Sequence, residues 1–172
     1  TLDRKCGSAQ QAVDFAAQGV IAGAYDAVIA GGVEMMSLVP MRANRLGKDN
    51  EGALFKTRYP KGLVRQGISA ELIAAKWHVC REEMDAFSLQ SHERSARARA
   101  SGLFARDIAP IDIWEENGET RHVDQDNGIR TDTSLEKLAA LGPAFQDDEI
   151  SARFPQIRWG VTAGNSSQVT DG

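Results

Sequence analysis

Apolar residues recur at Ala9, Ala12, Val13, Ala16, Ala17, Val20 and Ile21. They fall three and four apart, the period of one face of an α-helix. Cys6-Gly7-Ser8 reads as the turn in front of that helix, and Gly23 as its stop. Tyr25 to Ala30 is nearly continuous in small and β-branched apolar residues. A run apolar on both faces predicts a buried parallel strand, reached through a helical crossover. Thr1 to Lys5 is short enough to be the tail of an earlier strand. The beginning of the chain therefore reads as strand, turn, helix, strand, closed by Gly31-Gly32.

From Ser37 to Gly67 the periodicity is lost and Gly, Pro, Asn, Lys and Arg dominate, as in a long surface excursion. Gly67 to Trp77 reads as a helix, with Ser69 as its N-cap and Ile68, Leu72, Ile73 and Ala75 available for a core. A longer helix is predicted from about Arg81 to Ser101, ended by Gly102. Glu82, Glu83 and Asp85 in its first turn and Arg94, Arg97 and Arg99 toward its end complement the helix dipole. Ile111 and Ile113 alternate with Asp112, and the Asn117-Gly118 turn predicts a hairpin that returns over Thr120 to Asp124. Ser134 to Leu141 carries Leu135, Leu138 and Leu141 as a short helix stopped by Gly142-Pro143. Gln146 to Ile157 is polar and irregular, and Gly160 to Thr162 restarts a strand.

Composition narrows the class. The 172 residues are 42% hydrophobic and 26% charged, with a net charge of −4, which excludes a mostly disordered chain. No apolar stretch approaches the roughly 20 residues of a membrane-spanning helix. A pI near 5.4 argues against a general nucleic-acid binder. Two cysteines cannot build a disulfide scaffold, and a cytoplasmic location is expected. The chain starts at Thr1 and stops at Gly172 inside a run of small and polar residues, so it is expected to be a piece of a longer protein.

Cys6 is the leading chemical candidate. At the start of a helix the N–H groups favour a thiolate. The small Gly7 and Ser8 let a carbonyl approach and leave backbone N–H groups for an oxyanion. The other reading is a buried structural cysteine, since free Cys is among the most buried residue types. His78 and Cys80 lack a second ligand pair for zinc. His92 reads as a structural residue of the long helix, His122 as an exposed strand residue, and Glu34, after Gly31-Gly32, as a general base by residue type.

Cys6-Gly7-Ser8-Ala9-Gln10-Gln11-Ala12-Val13, then Ala22-Gly23 and Val28 to Ser37, resembles the active-site segment of the thiolases, the acyl-CoA:acetyl-CoA C-acyltransferases. The likeness continues in Ser91-His92, Gly102-Leu103-Phe104, Ile108-Ala109-Pro110 and Leu135 to Leu141. It resumes in Pro143-Ala144-Phe145, in Thr162 to Ser167 and in Asp171-Gly172. The blocks keep the family's order and cover nearly the whole chain. Among thiolases it looks most like the degradative enzymes of actinobacterial lipid and steroid-side-chain catabolism.

The resemblance implies an α/β fold: part of a layered α-β-α-β-α core with an inserted α+β loop domain. Residues 1–37 would supply the nucleophile helix and a central strand, 38–160 the loop domain over CoA, and 161–172 a return into the core. It implies that Cys6 takes the acyl group as a thioester, either cleaving a 3-ketoacyl-CoA or condensing acetyl-CoA. By motif, Arg130 would lie near the nucleotide end of CoA, Phe145 in its pocket and Ser167 on its pantetheine arm. Coenzyme A and acyl-CoA enter as substrates, with no metal or redox cofactor, and the parent is expected to form dimers or tetramers. The family's Asn, His and second Cys fall beyond the position matching Gly172, so the isolated chain is expected to turn over little. Arg65-Gln66 replaces a His-Met found in many relatives, which puts the pantetheine side of the pocket in question. The alternatives are a ketoacyl-synthase-type condensing enzyme, and a catalytically dead acyl-CoA- or sterol-binding relative or inactive remnant.

Overall fold

A computed structural model describes residues 1–49 and 51–170. Asp171-Gly172, the last block of the resemblance, lies outside the described residues. The chain divides into two compact units, Thr1–Phe55 with Val169 and Thr170, and Lys56–Gln168. Residues 161–168 are thus held within the second unit.

In the first unit, α1 (Ser8–Ile21) follows the predicted apolar period. It ends as a Schellman motif: Gly23, at φ 70°, donates to Val20 O at 3.0 Å, and Ala24 donates to Gly19 O at 2.9 Å. A residue with a Cβ would be strained at that φ. The expected strand over Tyr25–Ala30 does not form; these residues make no ladder and Ile29 is fully exposed. The reason is physical: an apolar run becomes a strand only against a neighbouring strand, and the described residues of this unit offer none. Thr1–Arg4 likewise pairs with nothing as a strand.

The second unit holds the buried residues. α2 (Ala53–Arg58) straddles the division, inside the stretch expected to be irregular. α3 (Gln66–Trp77) and α4 (Arg81–Ala100) match their predicted spans to within a residue. Ser69 is not the N-cap of α3; Arg65 holds that position, and the Ser69 hydroxyl donates back to Arg65 O at 3.3 Å. β1 (Ile111–Trp114) and β2 (Thr120–Val123) form the hairpin, antiparallel, with Ile111 opposite Val123 and Trp114 opposite Thr120. Asn117 Oδ1 accepts from Glu119 N at 2.9 Å and fixes the turn. α5 (Leu135–Ala139) is capped by Ser134, whose hydroxyl accepts from Lys137 N at 3.2 Å. The stretch expected to be irregular contains α6 (Asp148–Arg153), capped by Asp147 through Ile150 N at 2.9 Å. That cap starts a short helix whose sequence, with only Ile150 and Ala152 apolar, is too short to show a period.

Ile68 and Ala74 of α3, Leu138 of α5, and Ile157 and Val161 of the following segment make the core. Each large aliphatic side chain so buried contributes about 1.5–3 kcal/mol. Gly160 to Thr162 is not a regular strand: a single bridge joins Thr162 to Pro143, and Ala144 N donates to Val161 O at 2.9 Å. Instead the segment folds onto the helices. A Cβ on Gly164 would lie 2.5 Å from Leu138 Cδ2, and one on Gly160 would lie 2.6 Å from Met84 Cε. Among the described residues no helix is long and apolar enough to cross a membrane.

Candidate active site

Cys6 is exposed, in a single 3₁₀ turn (Lys5–Gly7) that runs directly into α1. Local bonds hold the turn in place. Arg4 N donates to the Ser8 hydroxyl at 2.7 Å, and that hydroxyl donates to Lys5 O at 2.7 Å. Asp3 accepts from Lys5 N at 3.0 Å and from Asn44 Nδ2 at 2.8 Å. The Lys5 N–H, and after it the Asn44 amide, holds the Asp3 carboxyl below its ordinary value.

The amides expected to serve an oxyanion are not free. Gly7 N donates to Arg4 O at 3.2 Å, and Ser8 N donates to Lys5 O. A 3₁₀ turn closes on its own N–H groups, which sequence spacing does not reveal.

Cys80 is different. It is the N-cap of α4, where Glu83 Oε2 accepts from its backbone N–H at 2.8 Å. Its thiol is pushed up. The Glu83 backbone N–H favours the thiolate, but the Glu82 hydrogen bond, desolvation and the Glu83 carboxylate together outweigh it. Two exposed thiols thus stand in contrasting surroundings, one on a turn ahead of a helix and the other between two carboxylates.

Arg130, Phe145 and Ser167 belong to the second unit, and hydrogen bonds tie their segments together. Gln168 Nε2, next to Ser167, donates to Gly128 O at 2.7 Å, two residues before Arg130. Pro143-Ala144, just before Phe145, pairs with Val161-Thr162, a few residues before Ser167. The Phe145 ring lies on Gly67, where a Cβ would stand 2.5 Å from its carbons. This puts Phe145 beside the Arg65-Gln66 substitution noted in the sequence. Arg130 is exposed and borders an open groove of about 390 Å³ between α4 and residues 130–133. Arg97, His92, Thr131 and Thr133 line the groove too, together with the Glu93 carboxylate. The groove thus carries two guanidiniums and two hydroxyls beside one carboxylate.

Five further residues shape this region without having been singled out for it. His92 Nδ1 accepts from Arg130 N at 3.1 Å, so the ring holds the backbone that presents Arg130. Glu71, 2% exposed, accepts from Gly160 N at 3.1 Å and from Val161 N at 2.7 Å. Asp85, 3% exposed, pairs with Arg81 Nε at 2.7 Å and accepts from Asn165 Nδ2 at 2.9 Å. It does not complement the helix dipole from solvent as its first-turn position suggested. Arg81 Nη2 donates to Leu138 O and Leu141 O at 2.5 and 3.1 Å. Two signals were available in the sequence. Glu71 interrupts the apolar stripe of α3, and Arg81 stands four residues before Asp85.

Comparison with known proteins shows the family. The family model described as thiolase, N-terminal domain, matches residues 1–172. The chain belongs to the thiolase family and corresponds to its N-terminal domain. An acetyl-CoA acetyltransferase of Chromobacterium violaceum is 41% identical over 181 residues, covering 100% of this chain and 44% of that relative. A 3-ketoacyl-CoA thiolase of Bacillus subtilis is 38% identical over 180 residues, covering 100% and 43%. The crystal structure of the dimeric peroxisomal thiolase of Saccharomyces cerevisiae superposes with a TM-score of 0.79 at 33% identity, over 99% of this chain and 40% of that one. The acetyl-CoA acetyltransferase of Bacillus anthracis gives 0.74 at 34%, over 98% and 42%. The α/β fold is thus thiolase-like, and the chain spans less than half the length of these relatives.

Proposed function

We propose that this chain is the nucleophile-bearing and CoA-binding part of an acyl-CoA:acetyl-CoA C-acyltransferase. In the degradative direction the Cys6 thiolate attacks the 3-keto carbonyl of a 3-ketoacyl-CoA. The bond between the α and β carbons breaks, the acyl group stays on sulfur, and the departing carbanion takes a proton to become acetyl-CoA. Free CoA then attacks the thioester, takes the shortened acyl group and returns the thiol. The reverse sequence condenses two acetyl-CoA molecules. Splitting the transfer at a covalent thioester turns one hard step into two easier ones. The observation that carries the reading is an exposed Cys6 on the turn into α1 in a chain matched throughout by the thiolase N-terminal model.

Arg130 would meet the phosphates at the nucleotide end of CoA, Phe145 would pack against the cofactor arm, and Ser167 would hydrogen-bond the pantetheine. The groove beside Arg130 supports the first role, and the hydrogen bonds joining the three segments support their acting on one ligand. Proton transfer and oxyanion stabilisation fall to the family's His, Asn and second Cys, because the Gly7 and Ser8 amides are engaged in the turn. The protein would act in the cytoplasm as a homodimer or homotetramer, without metal.

Iodoacetamide labelling tests the reading, with Cys80 as internal reference. Cys6 should be alkylated faster than Cys80, and acetyl-CoA should protect Cys6 alone. Equal, slow labelling of both thiols, unaffected by acetyl-CoA, contradicts an activated Cys6.

A further inference from the structure

We infer that the Arg81–Asp85–Asn165 chain, centred on the buried Asp85, positions acyl-CoA by holding the Thr162–Ser167 turn in one shape and so fixing where the Ser167 hydroxyl stands. The inference rests on the proposal that Ser167 meets the pantetheine arm.

Asp85 uses both carboxylate oxygens: Oδ2 receives Arg81 Nε at 2.7 Å and Oδ1 receives Asn165 Nδ2 at 2.9 Å. The Asn165 amide then closes the turn. Its Nδ2 also donates to Gly160 O at 3.1 Å, and its Oδ1 accepts from Thr162 N at 2.8 Å. Rotating that amide by half a turn would aim its oxygen at the Asp85 carboxylate, so Asp85 selects one orientation. The Ser166 hydroxyl is consumed inside the turn, donating to Thr162 O at 2.6 Å. Ser167 alone of the pair faces outward: it is exposed, and its hydroxyl is engaged only with neighbouring Gln168 O at 3.2 Å. That weak local bond is one a ligand can replace. From the other side Glu71 holds Gly160 N and Val161 N, so carboxylates from α3 and α4 clamp the same segment.

An ion pair whose carboxylate is buried is a poor way to gain stability, because desolvating that charge offsets much of the attraction. What it supplies is a defined geometry at a polar turn. Asp85 is therefore a positioning residue. It acts through Asn165 on a hydroxyl that it does not touch.

The test measures binding of two probes to the full chain by calorimetry. CoA carries the pantetheine arm, and adenosine 3′,5′-bisphosphate does not. Asp85→Asn should weaken CoA about 10-fold, the size of one hydrogen bond's net contribution, and leave the bisphosphate unchanged within about two-fold. Ser167→Ala should weaken CoA similarly, and the double variant should be no worse than Asp85→Asn alone, since both act through one hydroxyl. Equal loss of both probes would show general damage and overturn the inference. So would unchanged CoA binding in Asp85→Asn when Ser167→Ala is impaired. Should Asp85→Asn not fold, Asn165→Ala carries the same expectations without stranding a buried charge. If Ser167→Ala binds CoA normally, or the unsubstituted chain binds none, the proposal beneath the inference fails instead.

Discussion

The two units contrast in what they bury. Every buried residue described lies between Ile68 and Thr162, in the second unit, and includes three polar side chains whose hydrogen bonds are made. The first unit buries none of its described residues: Val13, Phe15, Val20 and Ile21 of α1 stand 54%, 53%, 43% and 85% exposed. Yet the nucleophile candidate is in the first unit and the three CoA-binding candidates are in the second. The amphipathic pattern of α1 makes the helix, but pattern alone does not supply the surface that such a face needs. In the second unit charge pairs and caps fix the loops on which the binding candidates stand.

The contrast breaks most readily by truncating one side chain in each unit. Leu138→Ala, at a site 3% exposed, should cost about 2–5 kcal/mol in urea unfolding. Val13→Ala on α1 should stay within about 0.5 kcal/mol. Equal costs would mean that α1 is as well packed as α5 and would end the comparison. A smaller effect should follow Gly67→Ala, whose Cβ would meet the Phe145 ring at 2.5 Å. Displacing the ring should cost about 1–3 kcal/mol of stability, visible as a lower unfolding midpoint, and should also weaken CoA binding. An unchanged midpoint would show that the ring is free to leave.

The smallest effect concerns the exposed hairpin. The Asp112 side chain, hydrogen-bonded to His122 at 2.7 Å, raises the histidine above its ordinary 6.5, with Asp112 and Asp124 charges adding to it. A raised folded-state value means that the bond's contribution is fully present below the unfolded histidine value. It is lost as the pH climbs through the raised one. Amide exchange across β1 and β2 should therefore quicken between mildly acidic and mildly alkaline pH beyond its ordinary chemical dependence. Asp112→Asn should return the His122 titration, followed by NMR, toward 6.5. A His122 titration unchanged by that substitution would refute the assignment.

Legibility in the sequence followed the range of the interaction. α1, α3, α4 and the hairpin were readable because apolar period, Gly23 and Asn117-Gly118 act over a few residues. α6 was not, since the helix that the Asp147 cap starts is too short to show a period. The strand expected at Tyr25–Ala30 failed because a strand is a property of a pair of segments. At the site, Cys6 stood out by its place before a helix, and Arg130, Phe145 and Ser167 only through family motifs. Sequence signals marked Glu71 and Asp85 as unusual, but not the segment that they hold. Asp85 and Asn165 are 80 residues apart, as nothing in either neighbourhood announces.

Peptide mass mapping after incubation of the full-length parent with acetyl-CoA tests most directly whether Cys6 is the acyl carrier. The account predicts one acetyl group on the Cys6 peptide, none on the Cys80 peptide, removal of that group by free CoA, and no labelling in Cys6→Ser. Acetylation of Cys80 instead, or an unmodified Cys6 in a full-length parent that demonstrably binds CoA, would contradict it.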